Sequence, residues 1–173
     1  MTTATPTTAA ALETDVAVIG AGPVGLFAVF ELGLLECSAH LIDALPRVGG
    51  QPVELYGDKP LYDIPGIPVC TGQQLVDGLL RQIEPFNTPM HLGQRVDTLQ
   101  RQPDGRWLVG TQHGLRLLAK AVFIAAGLGA FEPRRLKLDG LDALEGRDLF
   151  YTLPDAARLS GQQVVVVGGE DAA

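Results

Sequence analysis

Residues 15–33 read DVAVIGAGPVGLFAVFELG, and this stretch decides the fold. Its first five residues, Asp15 to Ile19, form the short apolar run that is typical of a strand buried on both faces of a sheet. A glycine-rich turn follows at once, and residues 24–35 predict a buried helix because they are apolar nearly all round. Pro23 fits the first turn of that helix, where its missing N–H group costs nothing. The stretch therefore predicts a strand, a tight turn and a helix, as in an α/β fold.

The turn, residues 20–25, has the G-x-G-x-x-G spacing, and each of its glycines has a physical purpose. Gly20 permits the tight turn, Gly22 leaves room for a diphosphate, and Gly25 lets the helix pack closely on the strand. The N–H groups at the start of the helix, with the helix dipole behind them, attract an anion. This pattern favours a dinucleotide site, with a plain strand–turn–helix connection as the alternative.

Asp43 supplies a second part of that site. It ends the next apolar strand, AHLID, and lies 18 residues beyond Gly25, near the spacing at which a carboxylate binds a ribose hydroxyl. Since a carboxylate repels a 2′-phosphate, we expect FAD or NAD here rather than NADP.

The middle of the chain predicts a helix and then a meander. Thr71 and Gln74 form the capping box of a helix that follows an irregular stretch. From Gln94 the apolar pattern changes period, and three segments separated by hairpin-turn signals predict an antiparallel meander. We expect its last strand to run on, as residues 121–125, into the parallel sheet. The fold class is therefore an α/β, FAD/NAD(P)-binding three-layer fold with a parallel sheet and an antiparallel β-meander.

The end of the sequence resembles its beginning. Residues 162–167 predict a fourth buried strand, and Gly168 and Gly169 begin a second glycine turn, so we expect the start of a second nucleotide-binding domain. The usual division between two such domains is one flavin and one nicotinamide. We therefore expect a flexible tail over residues 1–13, the N-terminal portion of an FAD-binding domain over 14–131, and a linker with the first strand of an NADPH-binding domain over 132–173.

Composition excludes several function classes. A net charge of −7 over 173 residues argues against nucleic acid, which needs a basic face. Residues 16–30 carry no charge, but they fall short of the roughly 20 residues of a membrane span and are interrupted by glycine. Residues 1–12 carry no Lys or Arg, so we interpret them as the tail of a cytoplasmic protein rather than a signal peptide. The two cysteines and three histidines share no spacing that indicates a metal site.

Three motifs, VIGAGPVGLFAVFELG, GGQPVELYGDKPLYDIPG and FIAAGLGAFEPR, together resemble the thioredoxin-reductase-like class of ferredoxin–NADP reductases. The resemblance covers about residues 14–173. Its middle motif is the most specific, because thioredoxin reductases proper share the GGQ but lack the LY…YDIPG segment.

The resemblance assigns roles to individual residues. It implies that Asp43 binds the adenosine ribose of FAD and that Gln51 and Tyr56 line the flavin side, where Gly50 allows close approach of the backbone to the ligand. It also implies that Val96 binds the adenine end through its backbone. Phe131 is expected at the flavin.

The resemblance also implies an activity. In this class hydride passes from NADPH to FAD, and the reduced flavin gives single electrons to ferredoxin or flavodoxin, so no catalytic side chain is expected. The family suggests a homodimer. Glu170 stands where a glycine would favour a diphosphate, which weakens the expectation of NADPH. The alternatives are a thioredoxin-reductase-like disulfide reductase, with its CxxC beyond Ala173, and a non-catalytic flavin-binding module. A returning C-terminal segment completes the FAD domain in the family, so we expect residues 1–173 alone to bind FAD weakly and to turn nothing over.

Overall fold

The computed structural model of the chain describes residues 10–130, 135–138, 140–151 and 156–168. These residues fall into two compact units, within residues 1–131 and 132–173. The described part of the first unit contains the strands β1 (Leu12–Ile19), β2 (Ala39–Ile42), β3 (Pro60–Leu61), β4 (Cys70–Thr71), β5 (Met90–His91), β6 (Val96–Arg101), β7 (Trp107–Thr111) and β8 (Arg116–Ile124). It also contains the helices α1 (Pro23–Leu34), α2 (Gln51–Tyr56) and α3 (Gly72–Ile83), and a 3₁₀ turn at Glu84–Phe86.

Six of these strands form one mixed sheet in the order β5-β2-β1-β8-β7-β6. The first four run parallel, and β6, β7 and β8 form an antiparallel meander. β8 belongs to both parts, because residues 116–119 pair with β7 while residues 117–124 pair with β1. The predicted meander, with a last strand that continues into the parallel sheet, is confirmed.

β1 begins earlier than its apolar run. Leu12 and Glu13, which were expected in the tail, pair with Leu117 and Leu118 of β8. Arg106 also binds Glu13, with 3.1 Å between Nη1 and Oε1. Backbone pairing with the long β8, rather than side-chain burial, therefore brings these two residues into the sheet, and the apolar pattern gave no sign of it.

β1 separates two apolar clusters, one on each face of the sheet, because successive side chains of a strand point to opposite faces. Val18 packs in a cluster with Leu26 of α1 and Val76 of α3. Ala17 packs in a second cluster with Val109 of β7. Helices, parallel sheet and meander thus form three layers, which confirms the expected fold class.

α1 begins at Pro23, as predicted, but only one of its faces is buried. Leu26 and Val29 pack into the core, whereas Val24 is 72% exposed and Phe27 is also exposed. The prediction of burial all round is wrong. Among the described elements, only β1, β2 and α3 pack extensively against this helix, so its other side remains exposed.

α3 begins at the predicted capping box. The Gln74 N–H donates to Thr71 Oγ1 at 3.1 Å, and the Thr71 N–H donates to Gln74 Oε1 at 2.9 Å. None of the helices in the described ranges combines the length and the apolar composition that crossing a membrane requires.

The second unit has little regular structure among its described residues, which form two 3₁₀ helices, Leu141–Ala143 and Ala156–Leu159. Residues 162–167, predicted as a strand, pair with no other described segment, and Val165 is 87% exposed. A strand needs a neighbour to pair its N–H and C=O groups, and no described residue supplies one here. Gly169 and Glu170 of the second glycine turn lie outside the described residues.

Candidate functional site

A cavity of about 360 Å³ lies where the carboxyl ends of β1, β2 and β8 meet. Its size falls within the roughly 300–1,000 Å³ of small-molecule sites, and its position at the carboxyl ends of parallel strands is where ligands of α/β folds bind. The lining comes from five segments of the first unit: Ile19–Val24 without Ala21, Ile42–Leu45, Gly50–Pro52, Gln94–Val96, and Ala125–Ala130.

Two glycines of the first turn are required by the packing of the protein itself. Gly20 has a φ of +111°, and a Cβ there would overlap the carbonyl oxygen of Ala125. A Cβ on Gly25 would overlap the carbonyl oxygen of Gly20. Since both obstacles are backbone atoms, neither can move aside, and these glycines close the turn whether or not a ligand is present.

Gly22 differs from the other two glycines because the protein itself leaves room for a side chain there. Its φ of −76° suits any residue, and an added Cβ would lie 3.9 Å from the nearest atom, Cα of Gly50. Gly50 has a φ of +57°, and a Cβ on it would lie 3.0 Å from Cα of Gly22. The two glycines thus face each other as bare backbone at the cavity wall.

The free backbone donors of the turn are fewer than the sequence motif suggests. The Gly20 N–H donates to the carbonyl of Ile42 at 2.7 Å, and the Ala21 N–H donates to Asp43 Oδ2 at 2.6 Å. The N–H groups of Gly22 and Val24, by contrast, donate to no atom of the described chain. Both residues line the cavity at the start of α1, so their amides are available there to bind an anion.

Asp43 is held rigidly at the cavity. Its Oδ2 accepts from the Ala21 N–H, and its Oδ1 accepts from the Leu45 N–H at 2.8 Å. A carboxylate offers about four lone-pair positions, so each oxygen keeps capacity for a ligand hydroxyl. The carboxylate therefore ties the glycine turn to the end of β2 and also presents an acceptor at the cavity.

The opposite wall comes from the segment before β6 and from the loop after β8. Gln94 is fixed there because its Oε1 accepts from the Thr111 hydroxyl at 2.6 Å. Val96 follows as the first residue of β6. Across the cavity, the side chain of Gln51 approaches the β8 loop, since a Cβ on Gly127 would lie 3.0 Å from Gln51 Nε2.

The structure brings most of the predicted site residues together. Those that line the cavity are Gly20, Gly22, Pro23, Asp43, Gly50, Gln51 and Val96. Gly25 lies beneath the turn, and Tyr56, the last residue of α2, does not line the cavity. The prediction for Phe131 lies outside the described residues.

Sequence reasoning missed the loop after β8 and residues 94 and 95 as parts of the wall. The sequence contained a signal for the loop. Because β8 was expected to join the parallel sheet, its carboxyl end was expected to lie beside the carboxyl ends of β1 and β2, where the cavity is. Residues 94 and 95 gave no such signal, since their position follows from the backbone bond between the Gln94 N–H and the carbonyl of Asp43, at 2.8 Å.

The site has the chemistry of a dinucleotide-binding site rather than of a metal centre. The described residues contain no cluster of three or more His, Cys, Asp or Glu side chains that could hold a metal ion. The bare backbone at Gly22 and Gly50 leaves space for a diphosphate, two free amides can bind it, and a fixed carboxylate can accept from a sugar. FAD fits this donor and acceptor set.

The chain matches no family model, but curated relatives match nearly all of it. The ferredoxin–NADP reductase 2 of Cupriavidus metallidurans is 59% identical over 162 residues, which are 94% of this chain and 44% of that protein. The ferredoxin–NADP reductase of Polaromonas naphthalenivorans is 56% identical with the same coverage. The chain thus spans less than half the length of these relatives.

Solved structures support the fold. A thioredoxin reductase from T. acidophilum superposes with a TM-score of 0.59 at 19% identity, covering 76% of this chain and 40% of that one. A thioredoxin reductase from Streptococcus pyogenes gives 0.60 at 23% identity, covering 78% and 41%. At these identities the likeness concerns the fold alone. Over the 162 matched residues, the chain is therefore similar to curated ferredoxin–NADP reductases, and its fold is similar to that of the thioredoxin reductases.

Proposed function

We propose that this chain forms the FAD-binding part of a flavoprotein oxidoreductase that passes electrons between NADPH and ferredoxin or flavodoxin. The observation that carries the proposal is the cavity in which Gly22 and Gly50 face each other beside the fixed carboxylate of Asp43. The names of the relatives, which mention ferredoxin and NADP, support the choice of partners.

Different residues of the cavity bind different parts of FAD. Gly22 and Gly50 admit the diphosphate, and the N–H groups of Gly22 and Val24 bind it. The carboxylate of Asp43 accepts from the ribose of the adenosine half, and the backbone of Val96 lies on the adenine side.

The flavin side is proposed from the resemblance. Gln51 lines the cavity at the start of α2, and the resemblance assigns Tyr56 and Phe131 to the same side of the flavin. Bound FAD supplies the hydride and single-electron chemistry, so the side chains of this protein have to orient the flavin and exclude water from it. A homodimer in the cytoplasm is proposed on the resemblance as well.

NADPH is proposed as the reductant. Its binding site would begin in the second unit, where the apolar run of residues 164–167 leads to Gly168. A carboxylate at Glu170 would repel the diphosphate that NADPH and NADH share. The comparison of the two nucleotides therefore tests the preference for the 2′-phosphate, and reduction by either tests whether the turn accepts a diphosphate.

The experiment is reduction of the bound flavin in the protein as its gene encodes it, followed by absorbance under anaerobic conditions. We expect NADPH to bleach the flavin faster than NADH does, and the reduced protein to reduce ferredoxin or flavodoxin but not a disulfide protein. Bound flavin that neither nucleotide reduces would instead support the non-catalytic module.

The disulfide reductase is the second candidate, favoured by the fold shared with thioredoxin reductases. Cys37 and Cys70 are free thiols, and their separation of 33 positions does not make a CxxC. Reduction of a disulfide protein in the same assay would decide for this alternative.

A further inference from the structure

His40 of β2 and His91 of β5 form a hydrogen-bonded pair on adjacent strands. Nδ1 of His40 lies 2.9 Å from Nε2 of His91, and the ring centres are 5.1 Å apart with 23° between the ring planes. No local sequence pattern indicates a partner for either histidine, because 51 positions separate them. They meet because β5 adds to the sheet beside β2.

The two rings meet edge to edge. Each nitrogen lies one ring radius from its ring centre, so a separation of 5.1 Å between centres is nearly the largest that a nitrogen–nitrogen distance of 2.9 Å allows. The two nitrogens therefore lie almost on the line that joins the ring centres. One of them donates its N–H along this line and the other accepts. The facing nitrogens thus share a proton.

This geometry accepts one additional proton but not two. A first proton binds the free nitrogen of the donor ring and leaves the N–H···N bond intact. A second proton has to bind the accepting nitrogen, so both facing nitrogens become donors and two positive charges are brought together. Partial burial lowers the pKa of His40 below its ordinary 6.5, and the charge of His91 lowers it further. Partial burial also lowers the pKa of His91.

Among the described residues, no carboxylate contributes to the lowered pKa of either histidine. Ala17 lies opposite His40 on β1, and Ile42 lies opposite His91 on β2. The nearest carboxylates along β1 and β2 are engaged elsewhere. Asp15 binds Lys120 and Ser38, and Asp43 binds two backbone amides of the cavity.

The pair lies close in sequence to the cavity lining, because His40 is two positions before Ile42 and His91 is three positions before Gln94. The Asp43 N–H donates to the carbonyl of His91 at 3.0 Å, and the Gln94 N–H donates to the carbonyl of Asp43 at 2.8 Å. The contact between β2 and β5 therefore fixes two parts of the cavity. One is the carboxylate of Asp43, which is proposed to bind the ribose, and the other is Gln94, which lies on the proposed adenine side.

We propose that His40 and His91 are a positioning pair for the dinucleotide cavity. The hydrogen bond between their rings keeps Asp43 beside Gln94 in the cavity lining. A second proton breaks this hydrogen bond and thereby weakens dinucleotide binding. The inference rests on the proposed function only for the identity of the dinucleotide, FAD. It assigns a role to two residues outside the cavity.

The first test measures FAD affinity by flavin fluorescence between about pH 8 and pH 5, in the protein as its gene encodes it. We expect the affinity to fall about fivefold over this range, the effect of losing one hydrogen bond. His40→Gln keeps a bond to His91 that persists after His91 is protonated, so its profile should be flat. His113→Gln, in the exposed turn between β7 and β8, is the control and should follow the parent. A profile for His40→Gln that matches the parent overturns the inference.

The second test observes the pair without FAD. Nitrogen NMR of the unsubstituted protein should show a coupling across the bond between the two rings, which survives the first protonation and disappears with the second. No coupling at neutral pH would overturn the pair itself. Absence of FAD binding at every pH would instead refute the proposed function, and the effect of the second proton on the coupling would still decide whether the pair opens.

Discussion

The substitution Gly22→Ala separates ligand binding from folding. The backbone angles of Gly22, φ −76° and ψ −178°, suit alanine, and the added methyl would make only an ordinary contact at 3.9 Å with Gly50. Replacing glycine by alanine at a helix N-cap costs about 1 kcal/mol or less, and the stiffer unfolded chain offsets about 0.4–1 kcal/mol of that cost. We therefore expect the free energy of unfolding to change by less than about 1 kcal/mol.

Binding should respond much more strongly than folding. The same methyl enters the gap between Gly22 and Gly50 at the cavity wall, and it keeps a diphosphate from the N–H groups of Gly22 and Val24. A hydrogen bond to a charged group contributes about 1.5–3 kcal/mol, so loss of one such bond should weaken FAD binding about 10- to 150-fold.

The assay pairs FAD affinity, from quenching of flavin fluorescence, with urea unfolding of the same samples. Gly78→Ala in α3 is the matched control: its added Cβ meets nothing within 4 Å, so it should raise the stability by about 0.5–1 kcal/mol and leave binding unchanged. Gly25→Ala is the opposite control, because its Cβ meets the Gly20 carbonyl and should destabilise the turn. A Gly22→Ala protein that binds FAD as tightly as the parent would refute the reasoning.

Three further predictions concern single side chains. Asp43→Ala should abolish measurable FAD binding. It should also lower the melting temperature, because it leaves the amides of Ala21 and Leu45 unpaired, whereas Asp43→Asn should retain more of the stability. Equal melting temperatures for the two variants would contradict this prediction. Thr71→Ala should lower the free energy of unfolding by about 1 kcal/mol, as urea denaturation measures, without a change in FAD affinity. Lys120 and Ser38 hold the pKa of Asp15 below its ordinary 3.8. Its contribution to stability is thus present above that pH and lost as the pH falls below it, so Asp15→Asn should flatten the acid limb of the stability curve, and an unchanged limb would argue against the ion pair.

Local patterns predicted the elements that local physics determines. The order strand, glycine turn and helix followed from β1 and α1, since a buried strand, obligatory glycines and Pro23 each leave a signal within a few residues. The meander followed from its turns, and the capping box of α3 from two residues three positions apart. These features depend on neighbours in sequence.

The features that the sequence left open depend on neighbours in space. The exposed side of α1 could not be predicted, because a helix that is apolar all round does not reveal which side the other elements cover. Residues 162–167 have the composition of a strand, but composition does not supply a partner strand. The bond between His40 and His91 and the use of the Ala21 amide by Asp43 arise only when β5 and β2 are placed in the sheet.

The most direct test of the account is the comparison of FAD with FMN. The cavity is assigned to the adenosine and diphosphate of FAD, which the amides of Gly22 and Val24 and the carboxylate of Asp43 hold. FMN lacks the adenosine and one of the two phosphates. Titration of the flavin-free protein, as its gene encodes it, should therefore give at least about 100-fold tighter binding of FAD than of FMN, with ADP competing against FAD. Equal affinities for the two flavins, or no binding of FAD in excess, would contradict the account.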